Sequence, residues 1–342
     1  MTTALNHMIE RSKKANIKFD PGVMKCLPRG SRVLGVCEHG VSLWSRTGKL
    51  NIELPDKSKK TYFIKVATGA RAHGMMSGEF LAMNTIKRFV PDFVPEPIAC
   101  DRYTFIPDAQ FILYEFKDMI KGWPDIEPFT VKLAAMHRIS SNASPGRFGF
   151  DQTTYHGNLP QKNDWCDTWE EFFVEAMRFS LRLDEEAKGT CPELRDLSDL
   201  MFEKVIPRLL RPVELGRDRK GNAIKPCLVH GDLWFGNFSA ERETKAPILY
   251  DSCAFWAHNE YEFGDWRSNR SPLTPEFFEA YQKHFPVSWP EEDFDDRNAR
   301  FNLHDSTLFP SNPQYRRFVI DDMKRLTEKY RDGLEGFTGW AN

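Results

Sequence analysis

The spacing of apolar residues changes from mostly strand-like to mostly helical along this chain of 342 residues, and the change limits the folds it can adopt. In the first third, three short apolar runs alternate with polar residues or are bounded by turn residues, which predicts β-strands at residues 49–54, 61–66 and 111–116. Residues 117–125 contain the breakers Gly122 and Pro124, and helical spacing dominates beyond them. The sequence therefore predicts an α+β protein with two lobes, a β-rich one over residues 1–116 and a mostly helical one over residues 117–342.

Helix signals occur in both lobes. Residues 77–90 predict a helix that Pro91 stops, because proline cannot continue a helix. Residues 129–139 predict a second helix. Thr168-Trp-Glu-Glu171 is a capping box, and the apolar residues that follow it lie on one helical face. A long amphipathic helix is therefore expected to begin after Thr168.

Charge and composition exclude several classes of protein. The 47 basic and 49 acidic residues leave a net charge of −2, so neither nucleic acid nor an acidic membrane is an expected partner. No apolar stretch approaches the roughly 20 residues that span a bilayer, and residues 1–20 lack the apolar core of a signal peptide. The seven cysteines form no CxxC pair, and the nine histidines form no HExxH, so no disulfide framework or His/Cys metal site is expected. These observations predict a cytoplasmic protein.

The segment His230-Gly-Asp-Leu-Trp-Phe-Gly-Asn237 carries the strongest chemical signal, and it follows the apolar Cys227-Leu-Val229. Asp232 and Asn237 have the spacing of a phosphotransferase catalytic loop. An aspartate there accepts the proton of the attacking hydroxyl, and a nearby amide oxygen holds the metal ion on the phosphate. The alternative is a surface loop in which Asp, Gly and Asn only form turns.

Asp251 ends the short apolar run Ile248-Leu-Tyr-Asp251. Magnesium prefers oxygen ligands, and a carboxylate at the end of a strand can supply one without burying an unpaired charge. The alternative is an aspartate that only caps the next turn. Together with the catalytic loop upstream, the pattern favours a metal ligand.

Lys65 lies within the apolar run Phe63-Ile-Lys-Val66, where an unpaired charge would be costly. Glu79 begins an inward-facing stripe of the predicted helix over residues 77–90, which is equally unusual for a carboxylate. Both observations are explained if the two side chains pair and the lysine contacts ATP phosphates. Alternatively, Lys65 extends its charge to solvent from an edge strand, and Glu79 interacts with the helix dipole.

The sequence contains no G-x-G-x-x-G motif to cover a phosphate group. Gly30-Ser31 and the turn around Gly40 and Ser42 are the candidate substitutes. The second is preferred, because residues 41–44 can begin the second strand of a hairpin over the nucleotide. An ordinary hairpin turn explains the same residues almost as well.

The order of these motifs resembles the aminoglycoside-phosphotransferase and choline-kinase branch of the protein-kinase-like fold. Narrower motifs resemble the fructosamine (ketosamine) 3-kinase family: Phe148-Gly-Phe150, Gly157-Asn-Leu-Pro-Gln161 with Asn163 and Trp165, Trp169-x-x-Phe-Phe173, and Ala257-His-Asn-Glu260. The chain departs from that family after the strand, where Asp251-Ser-Cys-Ala254 replaces the usual Asp-Pro-Ala. The glycine-rich turn is also thinner than usual.

The resemblance implies a bilobal kinase-like fold that uses ATP and Mg²⁺. It assigns Asp232 as catalytic base and Asn237 and Asp251 as Mg²⁺ ligands. Further residues are assigned to the nucleotide: Lys65 for the phosphates, Glu79 as its partner, Gly40 and Ser42 in the covering turn, and the backbone of Tyr114, Glu115 and Phe116 as the hinge that reads adenine. Trp234 takes the position of an aromatic residue beside the acceptor sugar, and core packing explains this tryptophan almost as well.

The implied reaction is phosphorylation of the 3-hydroxyl of ketosamines, the ribulosamine and fructosamine adducts formed on protein lysines, which leads to deglycation. Glycated proteins or small ketosamines are then the substrates, and a monomer is expected. Two alternatives stay open. One is another small-molecule kinase of the same fold, acting on choline, an aminoglycoside or a sugar. The other is a pseudokinase that binds nucleotide without catalysis.

Overall fold

Five strands of the first part of the chain form one antiparallel sheet in the computed structural model, which describes residues 19–216, 224–267, 271–298 and 303–338. The strands are β1 (Arg32–Glu38), β2 (Arg46–Glu53), β3 (Lys59–Thr68), β4 (Pro97–Arg102) and β5 (Ala109–Glu115). Their order in the sheet is β1-β2-β3-β5-β4. The predicted strands at residues 49–54, 61–66 and 111–116 overlap β2, β3 and β5.

The two faces of the sheet are used differently. Side chains alternate along a strand, so Ile64 and Val66 of β3 lie on one face and Lys65 on the other. Ile64 and Val66 join a buried core with Val23, Leu27, Leu50, Ile52, Phe111 and Leu113. Lys65 lies on the face where the helix α2 (Ala72–Phe89) contacts β3, β4 and β5.

Helix α2 begins at Ala72, five residues before the predicted start at residue 77. Gly74 weakens the local helix signal, whereas Ala72 and Met76 are buried. Tertiary packing of these two side chains therefore extends the helix beyond what its local sequence indicates. A single-turn helix, α1 (Pro21–Met24), precedes the sheet, and the Asp20 carboxylate accepts the Gly22 N–H at its start.

A later segment of the chain returns to the sheet-containing unit. By the density of internal contacts the chain divides into two units, and the first contains the residues through Pro124 together with Phe238–Cys253. The returning segment forms a hairpin of β9 (Phe238–Ala240) and β10 (Pro247–Leu249). Leu249 donates its N–H to the Phe93 carbonyl at 2.7 Å, and Ile120 donates to the Ala240 carbonyl at 2.9 Å.

This division differs from the predicted lobes, which separate at residue 116 and place residues 238–253 in the second lobe. The difference arises because backbone hydrogen bonds between residues far apart in sequence hold the returning hairpin, and no local pattern reports such contacts. The single O–H of Ser239 also donates to this region, shared between the backbone carbonyls of Ile120 and Gly122 at 3.1 and 3.0 Å.

The second unit contains Asp125–Asn237 and Ala254–Asn342, and it is mostly helical in its described residues. Its helices are α3 (Ile126–Asn142), α4 (Trp169–Lys188), α5 (Pro192–Leu200), α6 (Ile206–Leu215), α7 (Pro275–His284), α8 (Phe294–Arg297), α9 (Leu303–Leu308) and α10 (Pro313–Lys329). A π-helical turn, Met201–Val205, connects α5 to α6, and 3₁₀ segments cover Asn259–Arg267, Glu291–Asp293 and Gly333–Gly336. Short strand pairs are β6 (Tyr155–His156) with β7 (Leu159–Pro160), and β8 (Cys227–Val229) with β11 (Phe255–Ala257).

The helix predicted after Thr168 is present as α4, and the Thr168 hydroxyl accepts the Glu171 N–H at 3.1 Å. The helix predicted at residues 129–139 is present as the longer α3. Within the described residues, no helix combines the length and the apolar character that crossing a membrane requires.

A buried group of polar side chains in the second unit includes His258. Its Nε2 lies 2.8 Å from the Ser288 hydroxyl, and the neighbouring Glu260 carboxylate accepts hydrogen bonds from Arg297 Nε at 2.7 Å and Nη2 at 3.1 Å. Burial lowers the pKa of His258 from 6.5 to about 4, although Glu260 opposes the shift. The unfolded chain therefore binds a proton at this position at a pH where the folded chain does not.

We predict that this difference makes the protein lose stability as the pH falls from about 6.5 to about 4. Above that window the imidazole is neutral in both states, and within it only the unfolded state takes up the proton, at a cost of up to about 3 kcal/mol to folding. His258→Gln should flatten the pH dependence of the unfolding free energy, measured by urea denaturation, over that window. Parallel curves for the two proteins would contradict the assignment.

Candidate active site

In the first unit, the ammonium group of Lys65 lies between two carboxylates. Its Nζ is 2.6 Å from Glu79 Oε2 and 2.9 Å from Asp251 Oδ1. Only 9% of the Lys65 side chain is exposed, so the charge needs these partners. Burial alone would lower the pKa of Lys65, but the carboxylates of Asp251 and Glu79 outweigh burial and raise it. The structure thus contains the Lys65–Glu79 pair that the sequence predicted, with a second carboxylate added.

The side chain of Tyr114 completes this cluster. Its hydroxyl donates to Glu79 Oε1 at 2.9 Å, so each oxygen of the Glu79 carboxylate has a donor. Burial raises the pKa of Glu79, which is consistent with one ammonium group shared by two acids. The sequence had assigned a role only to the Tyr114 backbone. Nothing in the local sequence indicates that its hydroxyl reaches helix α2.

The other two predicted hinge residues lie at the end of β5. The Glu115 N–H donates to the Glu96 carbonyl just before β4 at 2.8 Å, so this amide already has a backbone partner. Phe116 lies just beyond the last residue of the strand, with its ring centroid 5.3 Å from that of His39 and 4.3 Å from Lys49 Nζ. Their assignment to adenine stays a prediction.

Asp251 has an unusual backbone conformation, with φ of +58°. Aspartate tolerates this left-handed region better than most residues, because its short side chain can interact locally. Its side chain is 43% exposed while Oδ1 contacts Lys65. The carboxylate is therefore both anchored and accessible.

The turn proposed to cover a phosphate group is built by Ser42. Its hydroxyl oxygen accepts the N–H groups of Trp44 and Ser45 at 3.3 and 3.2 Å and the Ser45 O–H at 2.9 Å. Gly40 has φ of +85°, a conformation that favours glycine. Strand β2 begins only at Arg46, so the expectation that residues 41–44 start it is wrong. The serine-centred turn takes up amide groups that a strand would have used for pairing.

In the second unit, Asp232 follows β8 and accepts hydrogen bonds from Asn237. The Asn237 Nδ2 donates to the Asp232 carbonyl at 2.8 Å and to its Oδ2 at 3.0 Å. Both partners are acceptors, which identifies the nitrogen of the amide and directs its oxygen away from Asp232. That oxygen is the group predicted to bind a cation.

A buried carboxylate holds the start of the predicted catalytic loop. Glu262 accepts the N–H groups of His230 at 2.6 Å and Gly231 at 3.1 Å. His137 lies behind it, with Nε2 3.4 Å from Glu262 Oε2 and Nδ1 2.7 Å from the Tyr281 hydroxyl. Sequence reasoning missed Glu262, because it lies 32 residues after His230 and carries no distinctive spacing.

His156 is a second residue that no sequence signal indicated, and its Nδ1 lies 3.3 Å from Asp232 Oδ1. The histidine side chain is 4% exposed and the aspartate side chain 24% exposed. His156 belongs to strand β6, far from Asp232 along the chain, so no local signal could have related the two.

Trp234 lies on the loop between Asp232 and Asn237 and is 41% exposed. This exposure argues against the core-packing explanation for the residue. Its ring lies against the backbone of Gly236, where an added Cβ would stand 2.3 Å from Trp234 Cη2. Just before Trp234, the loop is held by Trp266, whose Nε1 donates to the Leu233 carbonyl at 2.8 Å.

The oxygen donors assigned to Mg²⁺ are chemically suited to it in each unit considered separately. Asp251 offers a partly exposed carboxylate, and Asn237 offers an amide oxygen whose orientation its own hydrogen bonds determine. Hard divalent cations prefer such oxygen ligands. The residues present therefore fit this ion.

Comparisons with known proteins agree with the geometry. The fructosamine kinase family matches residues 46–311. A ketosamine-3-kinase from Mus musculus is 29% identical over 264 residues, which cover 68% of this chain and 77% of the mouse protein.

Solved structures share the fold. A candidate fructosamine-3-kinase from Haemophilus somnus has a TM-score of 0.68 at 19% identity, covering 89% of this chain and 96% of that one. A mutant aminoglycoside phosphotransferase, solved with ADP and hygromycin B, has a TM-score of 0.51 at 12% identity, covering 86% and 94%. These likenesses confirm the predicted α+β, kinase-like fold. With more than half of its length matched, the chain belongs to the fructosamine kinase family.

Proposed function

We propose that this protein transfers the γ-phosphoryl group of ATP to the 3-hydroxyl of a ketosamine. The observation that carries the proposal is the catalytic loop of a fructosamine kinase family member: a partly exposed Asp232 carboxylate oriented by Asn237 on a backbone held by Glu262. The mouse relative is named a ketosamine-3-kinase, which supports the acceptor class.

Asp232 acts as the proton acceptor in this reaction. The acceptor oxygen forms a bond to the γ-phosphorus, the bond from that phosphorus to the bridging oxygen of ADP breaks, and the hydroxyl proton passes to the carboxylate. The amide of Asn237 restrains that carboxylate. Fixed polar groups of this kind need little rearrangement during the reaction.

Lys65 binds phosphate oxygens in the same proposal. An ammonium group has three N–H donors, and Glu79 and Asp251 use two of them, so one donor stays for an anionic ligand. Magnesium, when bound, neutralises phosphate charge, and Asn237 and Asp251 are assigned as its protein ligands. Gly40 and Ser42 cover the phosphates, residues 114–116 bind adenine, and Trp234 packs on the acceptor sugar.

The acceptors are ribulosamine or fructosamine adducts of protein lysines, or small ketosamines. Phosphorylation at C3 converts a hydroxyl group into a good leaving group. Once the C2 carbonyl enolises toward the carbon that bears nitrogen, phosphate is expelled, and water then releases the amine from the resulting imine. The kinase step alone therefore initiates deglycation.

A panel of acceptors tests this proposal. Transfer of phosphate from ATP is measured with ribulosyl-lysine, fructosyl-lysine, choline and an aminoglycoside, and we expect turnover with the two ketosamines. Selective turnover of choline or the aminoglycoside would contradict the proposal that ketosamines are the acceptors. Thermal stabilisation by Mg-ATP without turnover of any acceptor would indicate a pseudokinase.

We predict that Lys65→Met raises the KM for ATP by about 10-fold or more and leaves the protein folded, because the donor for phosphate is lost. Lys59→Met is the matched control, since Lys59 is an exposed lysine of the same strand. Steady-state kinetics and a thermal melt measure the two effects. Normal turnover by an unstable Lys65→Met protein would mean that Lys65 is only structural.

Replacement of Asp232 by asparagine and replacement of Asp251 by asparagine are predicted to have different effects on nucleotide binding and rate. Asp251→Asn should weaken Mg-ATP binding as well as the rate, because a charge that opposes the cation is removed. Asp232→Asn should leave Mg-ATP affinity nearly unchanged and lower kcat by roughly 10²-fold or more.

Isothermal titration with Mg-ATP and rates on ribulosyl-lysine separate the two cases, with Asp199→Asn on the exposed surface of α5 as control. Equal loss of nucleotide binding in both variants would contradict this division of roles. An active Asp232→Asn enzyme would contradict the mechanism itself.

A further inference from the structure

The Asp232 carboxylate is contacted by side chains on both of its oxygens. Asn237 Nδ2 donates to Oδ2 at 3.0 Å, and His156 Nδ1 lies 3.3 Å from Oδ1. An ionised carboxylate only accepts hydrogen bonds, so a hydrogen bond here requires the proton of His156 on Nδ1. The separation of 3.3 Å lies just beyond the roughly 2.7–3.2 Å that is typical of N–H···O hydrogen bonds.

Two donors on different oxygens have an effect that one donor lacks. The terminal torsion of aspartate is broad, so a single hydrogen bond leaves the carboxylate plane free to rotate. Contacts to both Oδ1 and Oδ2 define that plane. His156 is buried and Asp232 is partly exposed. A substrate hydroxyl can therefore reach the carboxylate, and the imidazole acts on the reaction only through that carboxylate.

The short hairpin that contains His156 is stabilised by hydrogen bonds of its own. Strand β6 pairs with β7, with His156 opposite Leu159. Directly before it, the Thr154 hydroxyl accepts hydrogen bonds from Gln161 Nε2 at 3.0 Å and from Asn163 Nδ2 at 2.9 Å. Gln161 and Asn163 belong to the motif that the sequence analysis singled out without a physical role. Their contacts hold the short hairpin that carries His156.

We propose that His156 is a positioning residue that donates from Nδ1 to Asp232 Oδ1 and fixes the plane of the proton-accepting carboxylate, an inference that rests on the proposed kinase function. Three substitutions separate this role from simple packing. Asparagine places an amide nitrogen on Cγ, as histidine places Nδ1, and so keeps a donor at the δ position. Glutamine moves the donor one bond further out, and leucine removes it.

Kinetics with ATP and ribulosyl-lysine test the full chain. We expect His156→Leu and His156→Gln to lower kcat by about 10-fold or more with the KM for ATP within about 2-fold, and His156→Asn to stay within about 3-fold of the parent kcat. If the leucine variant does not fold, the comparison of kcat between the asparagine and glutamine variants tests the proposal. Equal kcat in all folded variants, or equal losses in the asparagine and glutamine variants, would overturn the proposal.

A second measurement does not depend on activity. Long-range ¹H–¹⁵N spectra of the full chain report which ring nitrogen of each histidine carries the proton, and loss of one signal set in His156→Asn assigns His156. We expect protonation at Nδ1. A ring protonated only at Nε2 would overturn the inference even if the chain is an active kinase. Failure of the parent chain to turn over any acceptor would instead refute the proposed function.

Discussion

The charge of Lys65 is the constraint on which the first unit depends. A buried ammonium group is tolerated only beside opposite charge, and here the partners come from helix α2 and from a segment 186 residues further along the chain. The Lys65–Asp251 contact therefore ties the returning hairpin to the sheet. It also explains why residues 238–253 belong with the strands although they follow the catalytic loop in sequence.

The second unit holds its predicted catalytic loop by a different physical means. Glu262 is a buried carboxylate, yet its direct partners at the loop are backbone N–H groups and not a lysine or arginine side chain. Peptide dipoles fixed by the fold can satisfy a carboxylate, and the carboxylate in return fixes the two peptide units before Asp232. A charge–charge cluster thus organises one unit, and a charge–dipole cluster organises the start of the loop in the other.

Local signals explain most of what the sequence predicted correctly. The alternation around residues 61–66 predicted β3, the capping box predicted α4, and the anomaly of a lysine in an apolar strand predicted its pairing with Glu79. Apart from the local Ser42 turn at residues 41–44, the features that the sequence did not reveal have one cause. The return of residues 238–253, the Tyr114 hydroxyl, Glu262 and His156 all depend on contacts between residues distant in sequence. Neither periodicity nor spacing along a single chain encodes such contacts.

The absence of a side chain at Gly236 has a consequence for the evolution of this enzyme. The indole of Trp234 lies where a methyl group on residue 236 would stand, whereas Asp232 and Asn237 are held by hydrogen bonds that do not involve Gly236. A single added carbon at that position would require the indole to move, whereas those hydrogen bonds do not involve residue 236. Under the roles proposed above, the choice of acceptor can thus diverge among descendants of this chain while Asp232 and Asn237 keep their hydrogen bonds.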